Sequence, residues 1–352
     1  MHPPTHGGDL AGYRETYGRM PLDFSANTSP LGVPESVRNA AAAALLHADR
    51  YPDPYCRALC RAIAKKAGCR PENVLCGSGA ADLFFRAALA LKPKTALLLA
   101  PTFSEYEAAL SLAETALSFY PLKPETGFLP QEDLLDRITP GLSLLVLCEP
   151  NNPTGRTTPA PLLQKIEARC RETGTFLWCD ECFGGFLEKP HTLLPCLSEN
   201  PRLLLFTAFT KLYGMAGLRL GVCFGAERVL SAMRAAGQPW SVSTPAQAAG
   251  LAALRDEAYA ESVRACVRAE RPFLFEGLTK LGFSVVPGEA NYLLFSTDLP
   301  DLGRRCAEKG ILLRSCANYR GLSDAYYRTA VRTHAENEKL LAVLREIQKE
   351  AR

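Results

Sequence analysis

No stretch of this 352-residue chain stays apolar for long. Its hydrophobic runs reach about six to eight residues before a proline, glycine or charge intervenes, well short of the roughly 20 that a membrane-crossing helix needs. No charged-then-apolar segment opens the sequence, so no secretory signal is expected. An excess of one charge is missing too. Forty Lys and Arg against 37 Asp and Glu leave a formal +3, too little to argue for nucleic acid or an anionic membrane as partner. Anions must then be held by individually placed arginines and not by a general field. There is no internal repeat and no low-complexity segment. A zinc set is also lacking: Cys179-x-x-Cys182 has no second such pair and no nearby pair of histidines. It reads as two small apolar residues flanking Asp180. The thirteen cysteines are odd in number and irregularly spaced, as expected of reduced, mostly buried thiols in a cytoplasmic protein.

What is present is an ordinary folded composition, 47% hydrophobic and 22% charged. The length suits about two domains of roughly 100–200 residues. From about residue 73 to 236, short apolar runs alternate with helical stretches. The runs cover 74–76, 95–100, 142–148, 175–180, 203–208 and 219–225; the helical stretches cover 80–91, 104–113 and 160–172. That alternation predicts an α/β unit whose mostly parallel sheet is covered on both faces. After Pro245 the texture changes. Long helical sequence over 246–281, open to interruption at Pro272, leads to short strands at 284–286, 292–296, 311–313 and 327–331, with helices at about 301–309 and 335–349. This predicts a smaller α+β domain. The first thirty residues, rich in Pro, Gly and Asn, read as an arm. The expected division is an arm over 1–31 joined to the small domain, a large domain over 32–240 and the small domain over 241–352.

Four polar residues sit at the ends of the apolar runs. Asn152 follows one, in Asn-Asn-Pro-Thr-Gly; Asp180 closes another; Lys211 follows a third; Arg219 opens a fourth, eight residues beyond Lys211. In an open α/β sheet such ends gather along one edge, where ligands bind. An amide, a carboxylate, an amine and a guanidinium there suit pyridoxal phosphate, a phosphorylated cofactor with a basic ring nitrogen and an aldehyde. The Lys211 amine would condense with the aldehyde and move protons at the substrate carbon. A lone loop lysine is usually a solvated charge, so the composite carries this reading. Asp180, a buried carboxylate, is costly unless it meets a cation such as the ring N–H⁺; a turn cap is the plain alternative. Gly77-Ser78-Gly79-Ala80 leads from a strand into a helix, where free N–H groups can face a phosphate, or it is only a tight turn. Arg219 would add a bidentate phosphate contact. Phe103 would cover the ring face, or simply pack in the core.

Together these residues resemble the fold-type I pyridoxal-phosphate enzymes, the aspartate aminotransferase superfamily, from end to end of the chain. The resemblance implies a large domain with a mostly parallel seven-stranded sheet, a smaller α+β domain and a homodimer. It implies that Asn152 meets the cofactor's ring oxygen and that Gly79, Ala80 and Thr210 lie around the cofactor. Tyr51, in Arg-Tyr-Pro-Asp-Pro, is similar to a tyrosine that reaches the phosphate across the dimer interface. Within the superfamily, His6-Gly7-Gly8, Asp23-Phe24-Ser25-Ala26-Asn27, Gln238-Pro239-Trp240-Ser241-Val242 and Arg314-Ser315-Cys316-Ala317-Asn318-Tyr319 resemble the branch acting on phosphorylated amines and amino acids. That branch holds α-decarboxylases of O-phosphorylated hydroxy-amino acids and histidinol-phosphate-type aminotransferases; the decarboxylase is the expected activity. The implied substrate contacts are His6, Asn27, Asn152, Arg314 and Arg328, with Arg332 read as a solvated surface charge. Three departures stand out: Ala208 in place of a Ser or Thr, Phe183 in place of a Tyr, and Gly79-Ala80-Ala81 in place of a more polar loop.

Overall fold

The structure, a computed structural model, describes residues 6–189 and 191–351. The chain opens with helix α1 (Leu10–Tyr17), strand β1 (Leu22–Asp23), and helices α2 (Glu35–Ala44) and α3 (Arg57–Ala67). The expected alternation follows: β2 (Val74–Gly77), α4 (Gly79–Leu91), β3 (Thr95–Ala100), α5 (Ser104–Leu112), β4 (Ala116–Pro121), β5 (Leu144–Cys148), α6 (Ala160–Thr173), β6 (Phe176–Asp180), β7 (Leu203–Ala208), the single turn α7 (Phe209–Leu212), β8 (Gly221–Phe224) and α8 (Glu227–Ala235).

These seven strands form one sheet in the order β2-β8-β7-β6-β5-β3-β4. Only β8 runs against its neighbours. Residues of β5 and β8, and 203–206 of β7, are apolar and almost wholly buried because helices cover both faces. One face packs Leu83, Phe84, Tyr106, Leu110 and Phe206 under α4 and α5. The other packs Leu59, Ile63, Leu163, Ile166 and Leu220 under α3 and α6. Burying each such side chain is worth about 1.5–3 kcal/mol. Edge strand β4 has alternating exposure, so no continuous apolar run announced it.

The remaining elements are α9 (Thr244–Arg255), α10 (Glu257–Lys280), β9 (Ser284–Val285), β10 (Tyr292–Ser296), α11 (Leu302–Glu308), β11 (Ile311–Leu312), β12 (Arg314–Ser315), β13 (Tyr326–Ala330) and α12 (His334–Glu350). Ala246, Ala249 and Ala253 of α9 pack into the core that also holds Leu59 of α3 and Leu220, just before β8. Pro272 does not interrupt α10. Buried Val263, Val267, Leu274 and Leu278 hold that helix together across the missing hydrogen bond. The break falls instead at Asp256, whose side chain caps α10 through the Tyr259 N–H. Strands β12-β13-β10-β9 make an antiparallel sheet, and β1 pairs in parallel with β11. The N-terminal segment thus joins the C-terminal unit, where the Tyr13 hydroxyl donates to the Ala307 carbonyl at 2.5 Å. Helix α1 itself was not foreseen; Asp9 starts it and Gly18, at φ 67°, ends it.

Candidate active site

Sheet order explains how the four residues meet. β5, β6 and β7 are parallel neighbours, so Asn152, Asp180 and Lys211 leave the sheet at one edge. The antiparallel β8 begins where its neighbours end, with Gly221 opposite both Ala208 and Gly77. Arg219 and the Gly77–Ala80 turn therefore reach the same edge. Gly79 has φ +85°, and a Cβ there would lie 2.4 Å from the Arg219 Nη2. A Cβ at Gly221 would meet the Ala80 nitrogen at 2.4 Å. Both positions need glycine for Arg219 to lie against the first turn of α4, whose leading N–H groups have no helical partner. A guanidinium beside free N–H groups is a fit for the phosphate of pyridoxal phosphate.

Asp180 is 5% exposed. Its Oδ1 accepts from the Cys182 N–H at 2.9 Å and its Oδ2 from the Tyr106 hydroxyl at 2.5 Å. Burial pushes its pKa up, against those two hydrogen bonds and the Lys211 charge. A cation at the open side of the carboxylate would offset that burial, and a protonated pyridine nitrogen is such a cation. Burial also lowers the Lys211 pKa; Cys182 and Asp180 oppose the shift, while Arg328 and Arg219 add to it. Its Nζ stands 5.4 Å from the centre of the buried Phe183 ring. Thr210 is buried beside it. Phe103 is half-buried, edge-on to Tyr106 at 5.7 Å between ring centres.

The facing wall comes from the N-terminal segment and the C-terminal sheet. Arg314 and Arg328 are direct cross-strand partners on β12 and β13, 7% and 6% exposed. Like charges placed opposite one another repel, more so when buried. Burial, together with Arg328, lowers the Arg314 pKa. Arg328 is held by neutral oxygens: Nη1 donates to the Asn152 Oδ1 at 2.5 Å and Nη2 to the Ser25 carbonyl at 2.8 Å. Its Nε is buried with no partner among the described residues. The Tyr319 hydroxyl adds a second hydrogen bond to the Asn152 Oδ1, at 3.2 Å. Arg314 donates to the Asn318 Oδ1 at 2.7 Å. Asn27 is 3% exposed, and neither its amide nitrogen nor its oxygen has a partner among the described residues. It lies between Ser25, bonded to Arg328, and Ser29, whose N–H donates to the Lys211 carbonyl.

His6 lines one cavity with Ser25 and Arg314, whereas Tyr51 lies on the surface. Tyr51 is 81% exposed and stacks on Trp240 at 4.6 Å. His6 pairs with Glu105 at 2.9 Å, its ring 5.9 Å from Phe103. Arg332 is not a solvated surface charge: it is partly buried and bonded to Glu336, which also closes the capping box of α12. Cys179 and Cys182 frame Asp180, and no group of side chains suited to a metal exists among the described residues. Two further residues, Tyr106 and Tyr319, join the site through Asp180 and Asn152. Tyr106 was within reach of sequence reasoning, because a position three after Phe103 at a helix start shares its face. Tyr319 was not, since only tertiary packing brings it to Asn152.

The chain belongs to the aminotransferase class I and II family, whose model matches residues 19–344. Enzymes of this family depend on pyridoxal phosphate, and the fold is that of aspartate aminotransferase. It is similar to the threonine-phosphate decarboxylase of Salmonella typhimurium, with 38% identity over 97% of this chain and 96% of that protein. It is also similar to the adenosylcobalamin biosynthesis bifunctional protein CobDQ of Leptospira interrogans, with 30% identity over 97% of this chain and 41% of that protein. Among solved structures, the histidinol-phosphate aminotransferase of Clostridium acetobutylicum superposes with a TM-score of 0.87 at 23% identity, covering 93% of this chain and 99% of that one.

Proposed function

We propose that the protein removes the α-carboxylate of L-threonine O-3-phosphate as CO₂, giving (R)-1-aminopropan-2-yl phosphate for cobalamin synthesis. The relatives named above support the substrate and the pathway. The observation that carries the reading is the buried pair Arg314 and Arg328 in cross-strand register. Two guanidiniums so placed call for an anionic ligand, and a phosphorylated amino acid brings both a phosphate and a carboxylate.

Pyridoxal phosphate, when bound, supplies an electrophilic aldehyde and a ring that accepts the electron pair of whichever Cα bond stands perpendicular to it. Asp180 would hold the proton on the ring nitrogen, positioned by Tyr106 and Cys182. Arg219 with the backbone of Gly79 and Ala80 would hold the cofactor phosphate, and Tyr51 of a second copy would reach it. Asn152 keeps its amide nitrogen for the ring oxygen while its Oδ1 anchors Arg328. Lys211 would bind the aldehyde carbon and, once released by the substrate amine, carry a proton to Cα. Phe183, without a hydroxyl, leaves one face contact apolar. Arg314, Arg328 and Asn27 would clamp the substrate phosphate, leaving its carboxylate free to turn out of the ring plane. Clamping the carboxylate instead would favour loss of the Cα proton and aminotransfer. The working unit is a cytoplasmic homodimer. Exposed Leu45, Leu46, Tyr51 and Trp240 supply an apolar surface for the second copy.

The test is to incubate the protein, cofactor and threonine phosphate with and without 2-oxoglutarate. One CO₂ per aminopropyl phosphate, independent of 2-oxoglutarate, is expected. Glutamate formation without CO₂ would turn the reading into a histidinol-phosphate-type aminotransferase.

A further inference from the structure

Three thiols crowd together beside the Gly77–Ala80 turn. Cys60 on α3 and Cys76 on β2 have their Sγ atoms 3.7 Å apart. Cys56, in left-handed backbone just before α3, lines one cavity with Cys76. All three are buried, between 5% and 6% exposed. Two cavities nonetheless lead to them. One of about 370 Å³ is lined by Cys60, Tyr55, Arg61 and Arg234. The other, of about 180 Å³, is lined by Cys56, Cys76, Arg86 and Arg234. The larger cavity, lined by Cys60, therefore offers a small oxidant a route to that residue.

We propose that Cys60 and Cys76 are a peroxide-sensitive thiol pair whose disulfide loosens the turn that holds the cofactor phosphate. The two sulfurs differ in character. Hydrogen bonding from Cys76 lowers the Cys60 pKa against its burial, and the Arg234 guanidinium adds to the effect. Its neighbours Cys56 and Cys60 push the Cys76 pKa well up, and burial does the same for Cys148, Cys179 and Cys223. The thiolate is the nucleophile in such chemistry, so Cys60 attacks first. Its sulfur takes one peroxide oxygen, the O–O bond breaks, and the departing hydroxide gains a proton to leave as water. Cys60 then carries a sulfenic acid. Cys76 attacks that sulfur, the S–O bond breaks, and hydroxide leaves with the Cys76 proton as a second water. Two thiols lose two electrons and one hydrogen peroxide gains them. The sulfurs must close from 3.7 Å to about 2.0 Å. Cys76 precedes Gly77, which pairs with Gly221, and Gly221 in turn touches Ala80. A pull on β2 therefore reaches the turn directly.

The consequence for the cofactor rests on the proposed phosphate site; the thiol chemistry does not. The reduced full-length protein should be titrated with hydrogen peroxide, mapped by non-reducing peptide mass spectrometry, and assayed for pyridoxal phosphate affinity. The expected first product is a Cys60–Cys76 link, reversed by dithiothreitol, with cofactor affinity at least tenfold weaker while it lasts. Cys76→Ser should stop at a sulfenic acid on Cys60 that dimedone traps, and Cys60→Ser or Cys60→Ala should keep cofactor affinity under peroxide. Oxidation of Cys69 or Cys266 before any Cys60–Cys76 link would overturn the proposal, as would a link that leaves affinity unchanged. If Arg219→Ala in the reduced protein leaves affinity intact, the phosphate site itself is wrong, which the peptide map does not depend on.

Discussion

Asp180 and Asn27 are buried almost equally, at 5% and 3% exposure, but on different terms. Asp180 on the sheet wall has a donor for each oxygen, Tyr106 and Cys182. Asn27 on the facing wall has no partner for its amide among the described residues, and neither has the Arg328 Nε. A buried polar group without a partner costs about 1–3 kcal/mol. The sheet wall is therefore built before any ligand arrives, whereas the facing wall holds polar groups in reserve for one. A binding site can keep such groups unsatisfied because the substrate's anions offset the cost. On the proposed reading the two walls also divide the work: the sheet wall would set the chemistry and the facing wall would select the molecule.

The comparison breaks most visibly at Lys211. Lys211→Ala should lower turnover by about 10²–10⁴, the usual worth of a positioned acid–base group, while substrate affinity stays near that of the parent. A loss confined to KM would move Lys211 to the other wall. Next in size is Arg328→Leu. It should weaken threonine-phosphate binding by roughly ten- to a hundredfold, the value of a charged hydrogen bond, with little effect on cofactor affinity measured by absorbance. Asn27→Leu sharpens the contrast: KM should rise several-fold while the ligand-free protein gains about 1 kcal/mol of stability, since an unsatisfied buried amide is removed. If that variant melts earlier than the parent, the amide is not held in reserve.

A separate effect, read in stability alone, concerns the acidic cluster behind Asp180. Burial pushes the Glu181 pKa from 4.5 up to about 7, and the Glu149 carboxylate raises that of His191 above 6.5. Both folded values exceed the unfolded ones, so both contributions favour the folded state at lower pH. Stability should fall as pH rises from 4.5 through about 7 for Glu181, and above 6.5 for His191. Partial solvent contact limits the Glu181 share to about 2 kcal/mol. Glu181→Gln should flatten the pH dependence of Tm between those values; an unchanged slope would remove Glu181 from the account.

Asn152, Asp180 and Lys211 could be read from the chain because each ends a continuous apolar run, and such runs end at one sheet edge. Arg219 depended on β8 being antiparallel, which spacing alone does not show. The pairing of Arg314 with Arg328 was hidden altogether. Strand β12 is two residues long, too short for a local pattern to announce its register with β13. Helix α9 shows the same limit: its alanine-rich face names no partner in the sequence, and tertiary packing sets it against Leu59 and Leu220.

Borohydride reduction of the protein loaded with pyridoxal phosphate, followed by peptide mapping, tests the sheet wall most directly. The account predicts a pyridoxyl group fixed to Lys211 and absent from the Lys211→Ala variant. A pyridoxyl group on another lysine, or none after reconstitution with excess cofactor, would contradict it.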